Sequence, residues 1–239
     1  MDIRGKVALV TGGTDGIGLC IARLLKEKGA TVIVCGRRAE RLTAARAEGF
    51  EAIEADLSSL EGVSRLAQDM KSRPLDILIN NAGAGVDFDL TESIDLDAVD
   101  RNIFLNLDAP IRLAAELVPH MKARPKATLV NVTSGLAIAP RSGGPVYCAT
   151  KAGLRSFTKA IRFQLRGTNI TVIEALPPVV ETAMTAARTG SKMKPEKCAA
   201  AIVSAIERDR IEANIGMVRL LKLVHSISPR LAEAIMIRF

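Results

Sequence analysis

The only tyrosine of this 239-residue chain, Tyr147, stands four residues before Lys151 in the run Tyr-Cys-Ala-Thr-Lys. On a helix that spacing stacks the two side chains on one face. A phenol normally ionises near pH 10, too high for proton exchange at neutrality. An ammonium held close favours the phenolate, so the pair is expected to form a tuned acid–base group. Ser134, thirteen residues before Tyr147, could hydrogen-bond an oxyanion developing on a carbonyl oxygen. Asn106 is a fourth polar candidate. Together these groups suit hydride addition to a carbonyl, which leaves charge on oxygen and requires a proton there.

Such groups need a framework that brings distant segments together. Short apolar segments rich in β-branched residues recur at Lys6–Thr11, Thr31–Cys35, Glu51–Ala55, Asp76–Asn80, Thr128–Val132, Ile170–Ala175 and near Ile211–Ile215. Between them apolar residues fall at spacings of three and four, as in Ile17, Ile21, Leu24 and Leu25. Alternation of this kind predicts an α/β Rossmann fold, a doubly wound parallel sheet of about seven strands with helices on both faces. Ligands of such sheets lie beyond the carboxyl ends of the strands. Ser134 closes the fifth predicted strand, and Asn106 lies on the helix predicted between the fourth and fifth. No repeat, low-complexity tract or linker interrupts residues 1–239, so one domain is expected.

The first strand runs into Thr11-Gly12-Gly13-Thr14-Asp15-Gly16-Ile17-Gly18 and then a helical pattern. Gly12 permits a tight turn, Gly16 lets backbone approach a pyrophosphate, and Gly18 lets the helix pack on the sheet. The amides and dipole of that helix start favour phosphate. After the second strand comes Cys35-Gly36-Arg37-Arg38 rather than an acidic residue. Arg37, with Arg38 as second candidate, could grip a 2′-phosphate, so NADP(H) is expected over NAD(H); the other reading is two solvated arginines at a helix start. Asp56 could accept from an adenine amino group or cap a helix before Leu57. Asn80-Asn81-Ala82-Gly83 would let the chain pass close to a cofactor.

The set TGGTDGIG, NNAG, Asn106, Ser134 and Tyr147-xxx-Lys151 resembles the single-domain short-chain dehydrogenase/reductase family over essentially the whole chain. The runs around Ser134, Tyr147 and Val172–Pro178 are closest to its DltE-like subgroup. The resemblance implies that Tyr147 exchanges the substrate proton and Ser134 orients the carbonyl. Lys151 would bind the nicotinamide ribose and lower the tyrosine pKa, and Asn106 would hold a proton-relaying water. It implies cofactor contacts at Gly12, Thr14, Asp15, Gly16, Ile17, Gly18, Arg37, Arg38, Asp56, Leu57, Asn81, Ala82, Gly83, Tyr147, Lys151, Pro177, Val179 and Thr182. A homodimer or homotetramer is implied as well. One departure is Pro177-Pro178 where the family usually shows Pro-Gly; it removes an N–H and should stiffen the loop.

Composition narrows the remaining options. Apolar residues make up 48% and charged residues 25%, which argues against disorder. No apolar run is long enough to span a bilayer, and the start runs directly into a strand without a leader pattern, so a cytoplasmic location is expected. Cys20, Cys35, Cys148 and Cys198 are scattered, and with His120 and His225 they form no metal-ligand pattern. The net charge is +7, and residues 183–239 hold ten Lys/Arg against five Asp/Glu. Without a basic run or aromatic motif, nucleic-acid binding is not expected.

Residues 135–144 and 183–195 are expected to wall a substrate cleft, the second as a lid. Arg141, Arg188, Lys192 and Lys194 either favour an anionic substrate or are ordinary surface charges. The stripe in 217–239 (Leu220, Leu221, Leu223, Val224, Leu231, Ile235), broken at Ser228-Pro229, reads as core or subunit contact, or as an interfacial helix on anionic lipid. The leading reading is NADPH-dependent reduction of a small carbonyl compound. The competing one, a non-catalytic NADP-binding protein acting through a membrane or protein partner, leaves the polar quartet without a purpose.

Overall fold

The computed structural model describes residues 1–238. Seven parallel strands form one sheet: β1 (Val7–Thr11), β2 (Thr31–Gly36), β3 (Glu51–Glu54), β4 (Ile77–Asn80), β5 (Ala127–Val132), β6 (Ile170–Leu176) and β7 (Glu212–Asn214). Their order is β3-β2-β1-β4-β5-β6-β7, so the winding reverses between β1 and β4. This is the expected doubly wound arrangement. Each expected strand is present, with ends shifted by one or two residues. Asp76 falls just outside β4; its carboxylate accepts from Val7 N (2.9 Å) and pairs with Arg124 Nε (2.9 Å). It is fully buried and serves the base of the sheet, away from the carboxyl edge.

The helices are α1 (Gly16–Glu27), α2 (Ala39–Ala47), α3 (Leu60–Lys71), α4 (Leu96–Ile103), α5 (Ala109–Met121), α6 (Pro145–Gln164), α7 (Pro195–Glu207), α8 (Val218–Ile227) and α9 (Pro229–Met236). Ile21 and Leu25 of α1, Leu42 of α2 and Ile202 and Ile206 of α7 pack on one face of the sheet. Leu66 and Met70 of α3, Leu113 and Leu117 of α5 and Ile161 of α6 cover the other. Strands buried on both sides explain why their sequences run apolar without strict alternation.

The segment expected as one helix between β4 and β5 is α4, a π-helical turn at Phe104–Asp108, and α5. The wide turn carries Asn106, which is completely buried. A buried polar chain ties α6 to the sheet: Asn80 Nδ2 donates to Asn131 Oδ1 (2.8 Å), Asn131 Nδ2 to Thr158 Oγ1 (2.9 Å), and Thr158 Oγ1 to Leu154 O (2.6 Å). Asn80 and Asn131 face each other in the β4–β5 register, so the first step follows from strand alignment, and the others from the packing of α6 on β5.

The stripe beyond residue 217 folds as two short helices. Ser228 caps α9 by accepting from Leu231 N (3.3 Å). A β-carbon at Gly135 would lie 3.0 Å from Val218 Cγ2, and Ser142 N donates to Ile237 O (3.1 Å). The tail is therefore attached to both ends of the 135–144 segment. Leu220, Leu223, Leu231 and Ile235 remain exposed, so only part of the stripe is core.

Candidate active site

The crevice beyond β1 and β4 is built around glycines that admit backbone and exclude side chains. A β-carbon at Gly18 would sit 2.3 Å from Gly12 O and 2.5 Å from Asn81 Nδ2, so only glycine lets α1 begin there. Gly16 has φ of +52°, and its missing β-carbon would be 3.1 Å from Thr182 Cγ2. Asn81 Nδ2 donates to Thr11 O (2.9 Å), while Thr11 Oγ1 accepts from Asn81 N (2.9 Å) and Ala82 N (3.0 Å). These bonds fix the Asn81–Gly83 run against the glycine loop, as expected for asparagine at this edge. Thr14 lies across Gly36: a β-carbon there would be 2.7 Å from Thr14 Oγ1.

Two details differ from the sequence reading. The Asp15 carboxylate caps α1 by accepting from Gly16 N (2.8 Å) and pairs with Arg41 (2.6 Å), so the side chain is spent on the helix start. Asp56 does not cap a helix at Leu57. Its Oδ1 accepts from Ser58 N (3.0 Å) and Oγ (2.7 Å), and Ser59 caps α3. Asp56 also lies 4.0 Å from Arg37 Nη1, both side chains being at least half exposed. Its carboxyl is held below the usual range; the bonds from Ser58 and the Arg37 charge outweigh a desolvation effect in the opposite direction. Arg38 occupies the N-cap position of α2, exposed and without a capping hydrogen bond. Leu57 is buried below them.

The polar quartet gathers around the ends of β4 and β5. Ser134 follows β5 and begins a 3-10 turn at Gly135–Ala137, accepting from Leu136 N at its Oγ (3.1 Å). That bond leaves its own O–H free to donate. Tyr147 is half-buried in the first turn of α6, and Lys151, one turn on, is almost fully buried. Lys151 Nζ donates to Val132 O (3.0 Å) and lies 5.6 Å from the centre of the Tyr147 ring. Gly83 is the meeting point: a β-carbon there would lie 2.7 Å from Asn106 Oδ1 and 3.4 Å from Lys151 Nζ. Asn106 Nδ2 donates to Ala84 O (2.8 Å) and Asn102 Oδ1 (2.8 Å), and its Oδ1 accepts from Ala84 N (3.1 Å). One amide hydrogen and the amide oxygen thus hold the chain at Ala84, and the other hydrogen ties Asn106 to Asn102. Asn102 also donates to Ala84 O (2.9 Å), a partner that the i, i+4 spacing from Asn106 could have suggested.

The electrostatics correct one expectation. Burial pushes the Tyr147 hydroxyl up to about 12; the Arg188 charge, the Ser134 hydroxyl and the Arg141 charge act against that rise. Lys151 is not among the groups that lower it. The ammonium is itself pushed down to about 8 by burial, and it is turned toward the Val132 carbonyl. Desolvation of the phenol therefore outweighs the attraction expected from an i, i+4 pair.

The loop after β6 is clipped. Gly135 N donates to Pro177 O (2.9 Å), and Val179 O accepts from Met193 N (3.0 Å) while Glu181 N donates to Met193 O (2.9 Å). Pro178 packs near Gly216, whose β-carbon would lie 3.6 Å from Pro178 Cγ. Thr182 opens a 3-10 turn at Ala183–Thr185 and meets the glycine loop at Gly16, joining the lid segment to the crevice. Among the described residues no His, Cys, Asp and Glu cluster could hold a metal, and no helix is long and apolar enough to cross a membrane.

The same architecture recurs in known proteins. The chain is 41% identical over 191 residues to the uncharacterized oxidoreductase DltE of Bacillus subtilis, covering 77% of this chain and 75% of that one. It is 31% identical over 250 aligned positions to a fatty acyl-CoA reductase of Acinetobacter baylyi, covering 98% and 84% of the two chains. A short chain dehydrogenase from Burkholderia cenocepacia, solved in complex with NADP, superposes with a TM-score of 0.87 over 99% of both chains at 26% identity. Residues 6–192 match the family described as short chain dehydrogenase. A match over most of its length, together with these relatives, shows that the chain belongs to the short-chain dehydrogenase family.

Proposed function

We propose that this protein is an NADPH-dependent oxidoreductase that interconverts a carbonyl and an alcohol on a small molecule, with Tyr147 as general acid and base. The observation that carries the reading is the convergence of Ser134, Tyr147 and Lys151 at the carboxyl ends of β4 and β5, beside a crevice lined by backbone. Gly12, Gly16 and Gly18 leave the amides at the start of α1 approachable, which fits a dinucleotide pyrophosphate. Arg37 and Arg38, both exposed at the end of β2, fit a 2′-phosphate; Asp56 can turn toward adenine only by loosening its contact with Arg37. The NADP complex of the Burkholderia cenocepacia relative supports the same cofactor here.

NADPH, when bound, supplies a hydride to the carbonyl carbon. The protein's own groups do the rest. Ser134 Oγ, which accepts from Leu136 N, keeps its own hydrogen available for a carbonyl oxygen. Tyr147 keeps its proton through the neutral range, since burial raises its pKa, and so stands ready to donate it. Lys151 spends one hydrogen on Val132 O and keeps two donors for hydroxyl groups near Gly83. Asn106 fixes the Gly83–Ala84 chain that forms the neighbouring wall. Thr182, Pro177 and Val179 complete the cofactor side.

Residues 1–239 act as one domain in this reading, with 183–195 as the lid. A homodimer or homotetramer is part of the proposal, supported by exposed Ile103 on α4 and Phe163 on α6. Four free, buried cysteines suit a reducing compartment such as the cytoplasm.

The test is NADPH consumption, followed spectrophotometrically over ketones, quinones, aldehydes and pterins, for the native protein and Tyr147→Phe. A loss of about 100-fold or more is expected in the variant. Turnover that survives the substitution overturns the role of Tyr147.

A further inference from the structure

Four basic residues flank the substrate cleft, and the structure separates them into two kinds. Lys192 is occupied: its Nζ donates to Thr185 O (2.6 Å) and Ala186 O (3.2 Å), which closes the lid segment on itself. Lys194 stands at the start of α7. Arg141 and Arg188 differ from both. The Arg141 guanidinium lies on the backbone at the start of α6, where a β-carbon at Gly144 would be 3.0 Å from Nη2 and 3.3 Å from Nε. Its Nε is buried without a hydrogen-bond partner. Gly144 caps α6 with no side-chain hydrogen bond, and Tyr147 sits in that same first turn. Arg188 approaches from the lid. Its own N–H donates to Thr185 O (3.0 Å), and its side chain is half-buried. Among the described residues no carboxylate lies within salt-bridge distance of either guanidinium, whereas Arg23, Arg41, Arg124 and Arg155 all have one.

The two arginines also act on each other and on the phenol. Arg188 is the strongest of the charges favouring ionisation of Tyr147, with Arg141 behind it, and the Arg188 pKa is lowered first by burial and then by Arg141. Both guanidinium charges are felt at the one phenol and Arg141 is felt at Arg188, and like charges so placed repel unless an anion lies between them. A guanidinium fork matches the planar oxygens of a carboxylate or the tetrahedral oxygens of a phosphate.

We infer that Arg141 and Arg188 form an anion subsite beside Tyr147, so that the substrate carries a carboxylate or phosphate within a few bonds of its carbonyl. This rests on the redox reading of the same cleft and narrows it to one chemical class. Val218 and Leu221 of α8 pack on Gly135, so an apolar surface adjoins the segment that follows Ser134.

The experiment compares matched pairs: 4-oxopentanoate with its methyl ester, and dihydroxyacetone phosphate with dihydroxyacetone. Each is assayed for NADPH oxidation with the native protein, Arg188→Gln, Arg141→Gln, Arg188→Lys and Tyr147→Phe. The native kcat/KM is expected to favour the charged member of at least one pair by about 10- to 100-fold, the range for charge-assisted hydrogen bonds. Whichever pair shows the preference identifies carboxylate or phosphate as the anion. The charged-to-uncharged ratio should fall about tenfold or more in Arg188→Gln and in Arg141→Gln, with Arg188→Lys between. Because each variant supplies its own uncharged reference, loss of folded protein cancels.

Calorimetric binding of 4-oxopentanoate and dihydroxyacetone phosphate to the NADP-loaded protein gives a second readout without turnover. Equal turnover of charged and uncharged members, abolished in Tyr147→Phe, overturns the subsite and leaves the redox reading standing. Anion binding that disappears in Arg188→Gln, with no NADPH oxidation on any probe, upholds the subsite and counts against carbonyl reduction. No anion binding and no charge preference overturns the subsite.

Discussion

Glu174 offers the sharpest physical test, because one buried carboxylate holds the strand end that leads to Ser134 and the helix that carries Tyr147 and Lys151 together. It is fully buried on β6; its Oε2 is 2.7 Å from Arg155 Nη1 and its Oε1 accepts from Thr133 Oγ1 at 2.9 Å. Arg155 lies one turn after Lys151 on α6, and Thr133 immediately precedes Ser134. Glu174→Gln keeps the shape and an acceptor for Thr133 but leaves the Arg155 cation, 13% exposed, without its partner. Breaking a buried pair from one side typically costs about 3–5 kcal/mol. Since glutamine retains part of the hydrogen bonding, a loss of about 3 kcal/mol is expected. For a chain of this length that is a fall in Tm of roughly 6–12 °C. Arg155→Met should cost about 4–5 kcal/mol, because it strands a carboxylate with no exposure at all. The double variant Arg155→Met/Glu174→Leu removes both charges, and Thr133 keeps Ala175 O as an acceptor at 3.1 Å. It should return to within about 1–2 kcal/mol of the native protein. The chain has no tryptophan, so urea unfolding is best followed by circular dichroism. If the single variants lose less than about 1 kcal/mol, or the double variant loses the sum of both, the pair is not the clamp described here.

Two further outcomes follow from the site. Arg37→Ala should lower kcat/KM for NADPH relative to NADH by roughly tenfold, the low end for a charged hydrogen bond because Arg37 is largely exposed; an unchanged ratio in steady-state assays refutes its phosphate role. The pH dependence of stability should show a maximum near pH 9. Lys151, depressed to about 8, gives up its proton earlier when folded than when unfolded, so stability rises with pH above 8. Cys35 and Cys198, raised to about 12 by burial, retain protons that the unfolded chain loses above about 9, and stability then falls. Tyr147, also raised to about 12, adds to the fall above pH 10. Urea midpoints at pH 7.5, 9 and 10.5 read this curve, and Lys151→Met should remove the rise between 8 and 9 while leaving the fall.

Much of this structure is legible in the chain because its elements are locally encoded. Runs such as Val7–Val10 and Ile77–Ile79 fit only a buried strand, and the glycine spacing at 12, 16 and 18 states the turn that follows. Ser134, Tyr147 and Lys151 are legible through their spacing within one strand–helix unit. What escapes is set by contacts between distant segments. The residues Phe104–Asp108 carry no local mark of a wide helical turn; it accompanies the bonds of Asn102 and Asn106 to Ala84. The Asp56 turn depends on Ser58 competing for a carboxylate that could equally have capped a helix. Lys151 sits at the expected spacing, yet its effect on Tyr147 is decided by burial and by the Val132 carbonyl. Arg141 and Arg188 are 47 positions apart, and only the folded lid brings them to one phenol.

The contacts of α8 and α9 carry an implication for how such enzymes diverge. Val218 and Leu221 pack on Gly135 and Ile237 accepts from Ser142 N, so residues 135–144 are braced by groups that all fall beyond residue 192, where the family match stops. The residues proposed to handle nicotinamide and proton transfer lie within the matched part of the polypeptide, up to residue 192, whereas the bracing of residues 135–144 comes from outside it. Changes in residues 218–237 can thus reach the segment beside Ser134 without touching the hydrogen bonds that Thr11, Asn81 and Lys151 make.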